Sequence, residues 1–322
     1  MHTFAYHSAD TVADAVRHLA DAGAAPLGGG TDLLVLIDEG LASPNVLVDL
    51  RRIRGARGVT IESDDAVRVG GATRVSDLAE HAVIREQFPA LARACEAVGT
   101  PALRNMGTLG GNLCQRPRCW YFRRNVRCYK NGGDFCPAVA GENQYLAILG
   151  GGPCYIVHPS DPAVALTALD ARVELTGSGG SRWVEMAEFY LLPRQRMDRE
   201  TVLEPHEFVT AVALPRESAG GVQLYYKLMQ RGAWDFALVS LAAVRRPDGE
   251  VRLVLGGVAP RPWRVTSSVE EDVSSGELDD EAIETLAMRA LIDAEPLSKN
   301  GYKVELAASL LRQAMAELGG ER

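Results

Sequence analysis

The chain has 322 residues, a formal net charge of −8 and 47% hydrophobic residues, which is the composition of a soluble globular protein of about two domains. This acidity argues against nucleic acid or an anionic membrane as the main partner. The sequence has no run of about eighteen apolar residues, so no membrane span is predicted. Residues 1–16 lack the basic and apolar regions of a signal peptide, which predicts a cytoplasmic protein.

Hydrophobic periodicity divides the first hundred residues into helices and strands. Helices are predicted at residues 9–22, 76–86 and 89–98. Strands are predicted at residues 45–50, 59–63 and 67–73. We expect Ser76 to cap the second helix, Pro89 to stand in the first turn of the third, and Cys95 to pack in the core.

Two glycine-rich turns are the first candidate functional features. The first turn has three consecutive glycines at residues 28–30, followed by Thr31 or Asp32 as the cap of a helix. Such a nest of N–H groups at a helix start is typical of an anion site. The pattern is neither the dinucleotide fingerprint nor a P-loop, and a plain tight turn explains it equally well.

The second turn reads GTLGGN at residues 107–112. The Thr108 hydroxyl, the N–H groups of Gly110 and Gly111 and the Asn112 amide could hold a phosphate or a sugar. The two turns lie about eighty residues apart, which indicates a dinucleotide held from two sides rather than a single phosphate.

Residues 101–161 contain five of the six cysteines. From Ala97 to Gly133 there are seven Lys and Arg residues and no Asp or Glu, so a positive field surrounds the thiols. Buried or disulfide-bonded cysteines, a zinc site, an iron–sulfur cluster and a nucleic-acid patch are all possible interpretations. Gaps of eight, seven and seventeen residues after Cys119 are unlike the short paired spacing of zinc knuckles. Iron–sulfur clusters tolerate varied spacing, and the excess of cations favours one here.

The remaining elements follow after the cysteines. Asp161 is predicted to cap a helix that has Pro162 at its first position, and a strand is predicted from Arg172. Further strands are predicted at residues 207–215, 223–232, 236–246 and 250–260, a polar loop at 267–277, and helices at 280–292 and 301–318. Strands followed by helices indicate a separate α+β domain from about residue 217.

Five stretches of the sequence together resemble one known family. They are PLGGGTDLL (26–34), GTLGGN (107–112), PSDPAVAL (159–166), YYKLMQRGAWDFALVS (225–240) and LGGVAPRPWR (255–264). The family is the FAD-binding medium subunit, or domain, of the molybdenum hydroxylases, and the resemblance covers nearly the whole chain. The cysteine-rich expansion before residue 159 resembles 4-hydroxybenzoyl-CoA reductases and three-subunit aldehyde oxidoreductases, where it holds a [4Fe-4S] cluster. The residues around the cysteines look closer to the aldehyde oxidoreductases.

The resemblance implies an α+β fold in two domains. Residues 1–216 would form a two-lobed α/β FAD-binding domain of the vanillyl-alcohol-oxidase type. Its lobes would span about 1–56 and 57–216, with an iron–sulfur insertion at about 113–157. Residues 217–322 would form a smaller α+β domain.

The resemblance also implies a set of site residues. FAD, bound noncovalently, would contact both turns, with Asp161 at its ribose or adenine end and Lys227 near the isoalloxazine. The implied FAD-binding residues are Pro26, Leu27, Gly28, Gly29, Gly30, Thr31, Asp32, Leu33, Leu34, Gly107, Thr108, Gly111, Asn112, Asp161 and Lys227. The implied [4Fe-4S] ligands are Cys119, Cys128, Cys136 and Cys154, with Cys114 as the spare cysteine. No residue of this chain is expected to act on the substrate directly.

The expected function is electron transfer within a molybdenum-containing aldehyde oxidoreductase. The implied partners are a large subunit with the molybdenum cofactor, a small subunit with two [2Fe-2S] clusters, and an external electron acceptor. Export to the periplasm is expected only if a partner carries the signal. The alternatives are the FAD/[4Fe-4S] subunit of a 4-hydroxybenzoyl-CoA reductase-type enzyme, and an iron–sulfur or zinc scaffold without flavin.

Overall fold

A computed structural model describes residues 3–64, 66–275 and 278–320, and the strands within these ranges form three sheets. The strands are β1 (Ala5–Ser8), β2 (Ala24–Leu27), β3 (Val46–Asp49), β4 (Val59–Ile61), β5 (Val67–Gly70), β6 (Arg172–Gly177), β7 (Gly180–Glu185), β8 (Phe208–Leu214), β9 (Val222–Leu228), β10 (Val239–Arg245), β11 (Val251–Gly256) and β12 (Trp263–Arg264). The helices are α1 (Val12–Leu19), α2 (Leu33–Asp38), α3 (Val75–Glu80), α4 (Ala82–Gln87), α5 (Pro89–Glu96), α6 (Pro101–Met106), α7 (Leu109–Leu113), α8 (Trp120–Arg123), α9 (Asp161–Ala168), α10 (Met186–Phe189), α11 (Ser267–Ser275), α12 (Asp280–Arg289) and α13 (Tyr302–Gly320).

The first sheet is parallel, in the order β1-β3-β2. Parallel neighbours need crossover connections, which α1 and α2 provide. Thr11 caps α1 by accepting a 3.1 Å hydrogen bond from the Asp14 N–H. This connectivity places the glycine triplet at the carboxyl end of β2, which is the edge of a parallel sheet where ligands bind.

The second sheet is antiparallel, in the order β4-β5-β8-β6-β7. Helices α5 and α9 pack against each other beside this sheet, and α9 also contacts β10 and β11 of the third sheet. Every residue of α9 is buried, which explains its continuous apolar sequence. Since α9 begins at Asp161, that residue lies between the second sheet and the third sheet.

The third sheet is antiparallel, in the order β12-β11-β10-β9, and its core includes residues of α11, α12 and α13. The strands predicted after residue 217 and the two C-terminal helices are therefore confirmed, as is the α+β fold class. None of the helices in the described ranges has the length and apolar content needed to cross a bilayer.

The polar loop predicted over residues 267–277 is wrong, because α11 occupies most of it and its last two residues lie outside the described ranges. Val269 and Val273 are one helical turn apart and are both fully buried. Glu270, only 3% exposed, accepts a 2.7 Å hydrogen bond from the Arg264 guanidinium. The acidic composition suggested a loop because it did not reveal that Glu270 is paired with Arg264, a residue outside the helix.

The single helix predicted over residues 76–86 is also wrong. Helices α3 and α4 are separated at His81, whose backbone is extended, and Ser76 lies inside α3 instead of capping it. Leu78 and Ile84 are both fully buried, yet six residues apart they would face different sides of one continuous helix. The predicted start of α5 at Pro89 is confirmed, and so is the burial of Cys95.

Residues at the start of α13 and just before it contact the cysteine segment, residues 101–161. Asn300 Nδ2 donates 3.1 Å hydrogen bonds to two carbonyl groups within residues 146–147. Lys303 Nζ donates to the carbonyls of Tyr145 at 2.9 Å and Gly257 at 2.7 Å. Burial lowers the pKa of the Lys303 ammonium to about 7. The buried Lys303 is thus one of the contacts between the C-terminal helix and the cysteine segment.

We expect the free energy of unfolding to increase with pH between about 7 and 10 because of Lys303. In this range the unfolded lysine keeps its proton while the folded one loses it, so rising pH favours the folded state by up to about 1.4 kcal/mol per unit. Urea unfolding across this range checks the prediction. Lys303→Met should lose this increase, and the exposed control Lys299→Met should keep it. The same slope in both variants would contradict the assignment.

Candidate cofactor site

The first glycine turn presents a row of free backbone donors. The N–H groups of residues 28–32 donate to no partner in the described part of the chain. Gly30 has φ +75°, a conformation that glycine adopts without strain. Five consecutive free N–H groups before α2 form the kind of concave donor surface that binds an anion.

The N–H groups of Gly110 and Gly111 in the second turn are not free, contrary to the prediction. Gly110 donates to the Gly71 carbonyl at 2.8 Å, and Gly111 donates to Thr108 Oγ1 at 3.1 Å. Thr108 thereby caps α7, and Asn112 Oδ1 accepts from Ser160 at 2.6 Å. This turn can still offer the Thr108 hydroxyl proton and the Asn112 amide protons to a ligand.

The two turns are in direct contact. A Cβ atom on Gly29 would lie 1.9 Å from the Met106 carbonyl oxygen, and one on Gly28 would lie 2.5 Å from Thr108 Oγ1. Glycine is required at residue 29 because two backbones meet there. The turns therefore form one surface, rather than two separate grips on opposite sides.

Asp161 and Lys227 form a buried ion pair. Their charged atoms are 2.8 Å apart, and the side chains are 7% and 4% exposed. Tyr225 donates to the same carboxylate at 2.7 Å, and Lys227 also donates to the Ala97 carbonyl at 2.8 Å. Burial raises the pKa of the Asp161 carboxyl, while Lys227 and Tyr225 oppose that rise.

This geometry corrects two expectations for Asp161. The cap of α9 is Ser160, whose hydroxyl accepts from the Ala163 N–H at 3.1 Å, and Asp161 is the first helical residue. Asp161 also contacts Lys227 directly, so the two cannot mark opposite ends of an extended dinucleotide.

One cavity of about 520 Å³ brings the predicted residues together. It contains the first turn, Gly107, Thr108, Gly111, Asn112, Asp161 and Lys227. Its size suits a cofactor. Among the predicted residues, Leu27 is instead a core residue, and Leu34 is 44% exposed on α2.

The cavity also has walls that the sequence analysis did not select. Arg118, Trp234 and Phe236 line it, and the two aromatic side chains are 60% and 46% exposed. Trp234 has φ +55°, which is uncommon for an aromatic residue. The signal available in the sequence was the presence of two aromatic residues, Trp234 and Phe236, in the connection between β9 and β10.

A second cavity of about 320 Å³ adjoins the first and reaches the cysteine segment. Both cavities are lined by Arg118, Pro159 and Asp161, while Cys119 and Trp120 line the second.

The consecutive aromatic residues 120–122 have different surroundings. Trp120 is 47% exposed, whereas Phe122 is buried.

All six cysteines are free thiols, and two of them, Cys119 and Cys154, are affected by the charge of other cysteines. Burial raises the pKa of the Cys119 thiol, and Cys136 and Cys128 raise it further. Burial raises the pKa of Cys154 to about 12, and Cys136 and Cys119 add to this. Burial alone raises the pKa of Cys114. Cys119 therefore lies within electrostatic range of the other three cysteines predicted as ligands.

Backbone donors accompany two of these thiols. The N–H groups of Tyr121 and Phe122 point at the Cys119 sulfur, and the Ile156 N–H points at the Cys154 sulfur. Hydrogen bonds to sulfur and nearby cations are features that tune iron–sulfur sites. No group of three or more His, Cys, Asp or Glu in the described ranges has the geometry of a metal site. The four thiols nevertheless have the donor chemistry of an iron–sulfur cluster.

Two family models match the chain. Residues 2–217 match the FAD binding domain in molybdopterin dehydrogenase, and residues 224–318 match the CO dehydrogenase flavoprotein C-terminal domain. The chain belongs to the family of FAD-binding medium subunits of the molybdenum hydroxylases. This medium subunit is therefore part of a multisubunit oxidoreductase, and FAD is its cofactor.

Named relatives and a solved structure agree with this assignment. The medium subunit is 37% identical to the aldehyde oxidoreductase FAD-binding subunit PaoB of Escherichia coli K12, covering 98% of both chains. It is 26% identical to the carbon monoxide dehydrogenase medium chain of Hydrogenophaga pseudoflava, covering 97% of this chain and 96% of that one. A solved structure of carbon monoxide dehydrogenase from the same organism matches with a TM-score of 0.75 at 25% identity, covering 97% of this chain and 96% of that one.

Gly29→Ala is expected to weaken FAD binding about tenfold or more, which equals about 1.4 kcal/mol. The added methyl group would overlap the Met106 carbonyl, so the first turn must move and its N–H groups must diverge. Titration of the flavin-free medium subunit with FAD measures the effect. The control is Gly179→Ala, whose methyl group meets no atom within 4 Å. Equal FAD affinity in both variants would contradict the role of this turn.

Proposed function

We propose that this medium subunit is the electron-transfer flavoprotein of a molybdenum-containing aldehyde oxidoreductase. The observation that carries the proposal is the row of free N–H groups at residues 28–32, which shares a cavity with Asp161 and Lys227. Similarity to a subunit named for aldehyde oxidoreductase supports the substrate class. FAD, when bound, supplies chemistry that exchanges electrons singly or in pairs.

The pyrophosphate of FAD would lie on residues 28–32, with Thr108 and Asn112 beside it. The Asp161–Lys227 pair would lie at the isoalloxazine end, because the adjoining cavity leads from Asp161 to Cys119. This orientation brings the flavin and the cysteine segment together, as electron transfer requires. Two acceptors hold the Lys227 ammonium in place, so its position is fixed before FAD binds.

We also propose a [4Fe-4S] cluster on Cys119, Cys128, Cys136 and Cys154. Other cysteines of this set raise the pKa of the Cys119 and Cys154 thiols, and backbone N–H groups face both sulfurs, which supports the cluster. Lys130, whose side chain is 2% exposed, stabilises negative charge on Cys154. Cys114 lies instead in the flavin cavity and influences the buried Tyr190.

The proposed assembly contains a large molybdenum-cofactor subunit and a small subunit with two [2Fe-2S] clusters. Electrons would pass from these centres through FAD to an external acceptor. We place the division between the two domains at residues 216–217, and the first family model ends at residue 217. The proposed compartment is the cytoplasm, or the periplasm if a partner carries an export signal.

Two alternatives lead to different experimental results. A 4-hydroxybenzoyl-CoA reductase-type enzyme would use the same FAD and cluster to deliver electrons toward molybdenum. A scaffold without flavin would hold iron–sulfur or zinc alone, and it is disfavoured by the family assignment.

The test is a cofactor analysis of the purified chain and the assembled enzyme. We expect noncovalent FAD that acid precipitation releases completely, about four irons per medium subunit beyond the [2Fe-2S] content, and reduction by aldehydes. Flavin that remains on the denatured chain would refute noncovalent binding. Zinc in place of iron would refute the cluster, and reduction of hydroxybenzoyl-CoA without aldehyde oxidation would favour the first alternative.

A further inference from the structure

We propose that Asp32 is a positioning residue that makes FAD binding and cluster binding mutually dependent. The inference rests on the proposed function, because it requires both cofactors. It assigns to the Asp32 carboxylate neither helix capping nor direct contact with FAD, although the Asp32 N–H belongs to the anion-binding turn. Its role is to connect the anion-binding turn to the cysteine segment.

Within the described residues, every hydrogen bond to the Asp32 carboxylate comes from the cysteine segment. It makes no capping hydrogen bond to α2. It accepts from the Arg116 N–H at 2.8 Å, from Arg118 Nη1 at 2.5 Å and from Arg123 Nη2 at 2.7 Å. These partners are 84, 86 and 91 residues away in sequence. The side chains of Asp32, Arg118 and Arg123 are 15%, 26% and 12% exposed, so solvent screens them weakly.

The same arginines flank a proposed cluster ligand. Arg118 directly precedes Cys119, and Arg123 is the last residue of α8. Cys119 occupies the N-cap position of α8, and its sulfur faces the N–H groups of Tyr121 and Phe122. Anchoring Cys119 on a cluster would therefore fix the positions of both guanidinium groups.

Electrostatics determines whether cluster binding strengthens or weakens FAD binding. The N–H of Asp32 is the last of the five free donors, so its carboxylate lies beside the proposed pyrophosphate site. An unpaired carboxylate there repels a pyrophosphate, whereas one neutralised by two guanidinium groups does not. A bound cluster should therefore strengthen FAD binding, and by reciprocity bound FAD should slow loss of the cluster.

The experiment is a cycle of four full-length chains: the unchanged chain, Asp32→Asn, Cys128→Ala and the double variant. Cys128→Ala removes a proposed ligand without touching Asp32 or its arginines. FAD dissociation constants are measured by flavin fluorescence for each chain. For the unchanged chain we expect Cys128→Ala to weaken FAD binding by about 5- to 150-fold, the usual range of coupling. In the Asp32→Asn background, adding Cys128→Ala should change FAD affinity less than about twofold, because no carboxylate is left to be neutralised.

A second readout follows iron instead of flavin. The rate at which a chelator removes iron should fall when FAD is added to the unchanged chain, and FAD should not alter it in Asp32→Asn. The matched control is Asp38→Asn, which removes one exposed carboxylate from the same helix. Arg123→Gln tests the other side of the contact, with exposed Arg124→Gln as its control. Both controls should keep the coupling.

The outcomes separate this inference from the proposed function. Coupling that persists in both Asp32→Asn and Arg123→Gln overturns the inference. So does a loss of FAD affinity in Asp32→Asn that is equal with and without Cys128, since that result makes Asp32 a direct ligand or a local support. An unchanged chain that binds both cofactors without coupling also overturns it, while the proposed function stands. A chain that binds no iron refutes the cluster, and the inference falls with it.

Discussion

Cys128→Ala is expected to remove about four irons from each medium subunit, because a [4Fe-4S] cluster needs four thiolates. Cys128 is 7% exposed, and its carbonyl accepts hydrogen bonds from the N–H groups of Asn131 and Gly133 in the surrounding loop. Loss of the cluster should also destabilise this loop, since cluster binding contributes to its folding. Iron analysis and susceptibility of residues 113–157 to proteolysis measure the two effects.

The matched control is Cys114→Ala, which should keep the iron and the turnover of the assembled enzyme. Cys114 follows α7 and lines the flavin cavity, away from the four interacting thiols. Loss of iron from Cys114→Ala with iron retained in Cys119→Ala would show that one ligand is misassigned. Iron retained in all three variants would exclude the cluster from this segment.

Lys227→Met is expected to lower the free energy of unfolding by about 3–5 kcal/mol, because it leaves the buried Asp161 carboxylate without its cation. The Asp161 side chain is 7% exposed, so water cannot replace the lost partner. FAD content should fall as well, since both residues line the cofactor cavity. Urea unfolding and the flavin content of the purified chain measure these losses.

The control for this prediction is the double variant Lys227→Met with Asp161→Asn. A neutral amide beside a methionine removes the unpaired charge, so most of the lost stability should return. A small loss of stability in Lys227→Met, within about 0.5 kcal/mol, would show that the pair is not buried in solution.

Local signals were enough for several elements and for part of the site. Glycine at residues 28–30, proline at Pro89 and the apolar run of α9 act through the backbone or through nearest neighbours, so the sequence alone determines their effect. The cavity that joins the two turns with Asp161 and Lys227 contains most of the residues that the family resemblance implied.

Long-range contacts decided the features that the sequence analysis missed. The pattern around Asp161 favoured a helix cap, but its partner Lys227 is 66 residues away. The N–H groups of Gly110 and Gly111 looked free, but the carbonyl of Gly71, directly after β5, accepts a hydrogen bond from Gly110. The acidic composition of α11 indicated a loop, but in the structure Arg264 pairs with Glu270 and the segment is helical.

The sequence by itself determined where the chain turns, which segments are apolar and which residues have the chemistry for FAD and for a cluster. Only the tertiary structure decided how their polar groups are used, because hydrogen bonds and ion pairs depend on which distant groups lie within about 3 Å. Asp32 illustrates the difference, since its local position suggests a helix cap and its three actual partners lie on the cysteine segment. Burial then gives those contacts their strength, because it removes the water that would otherwise compete for the same donors and acceptors.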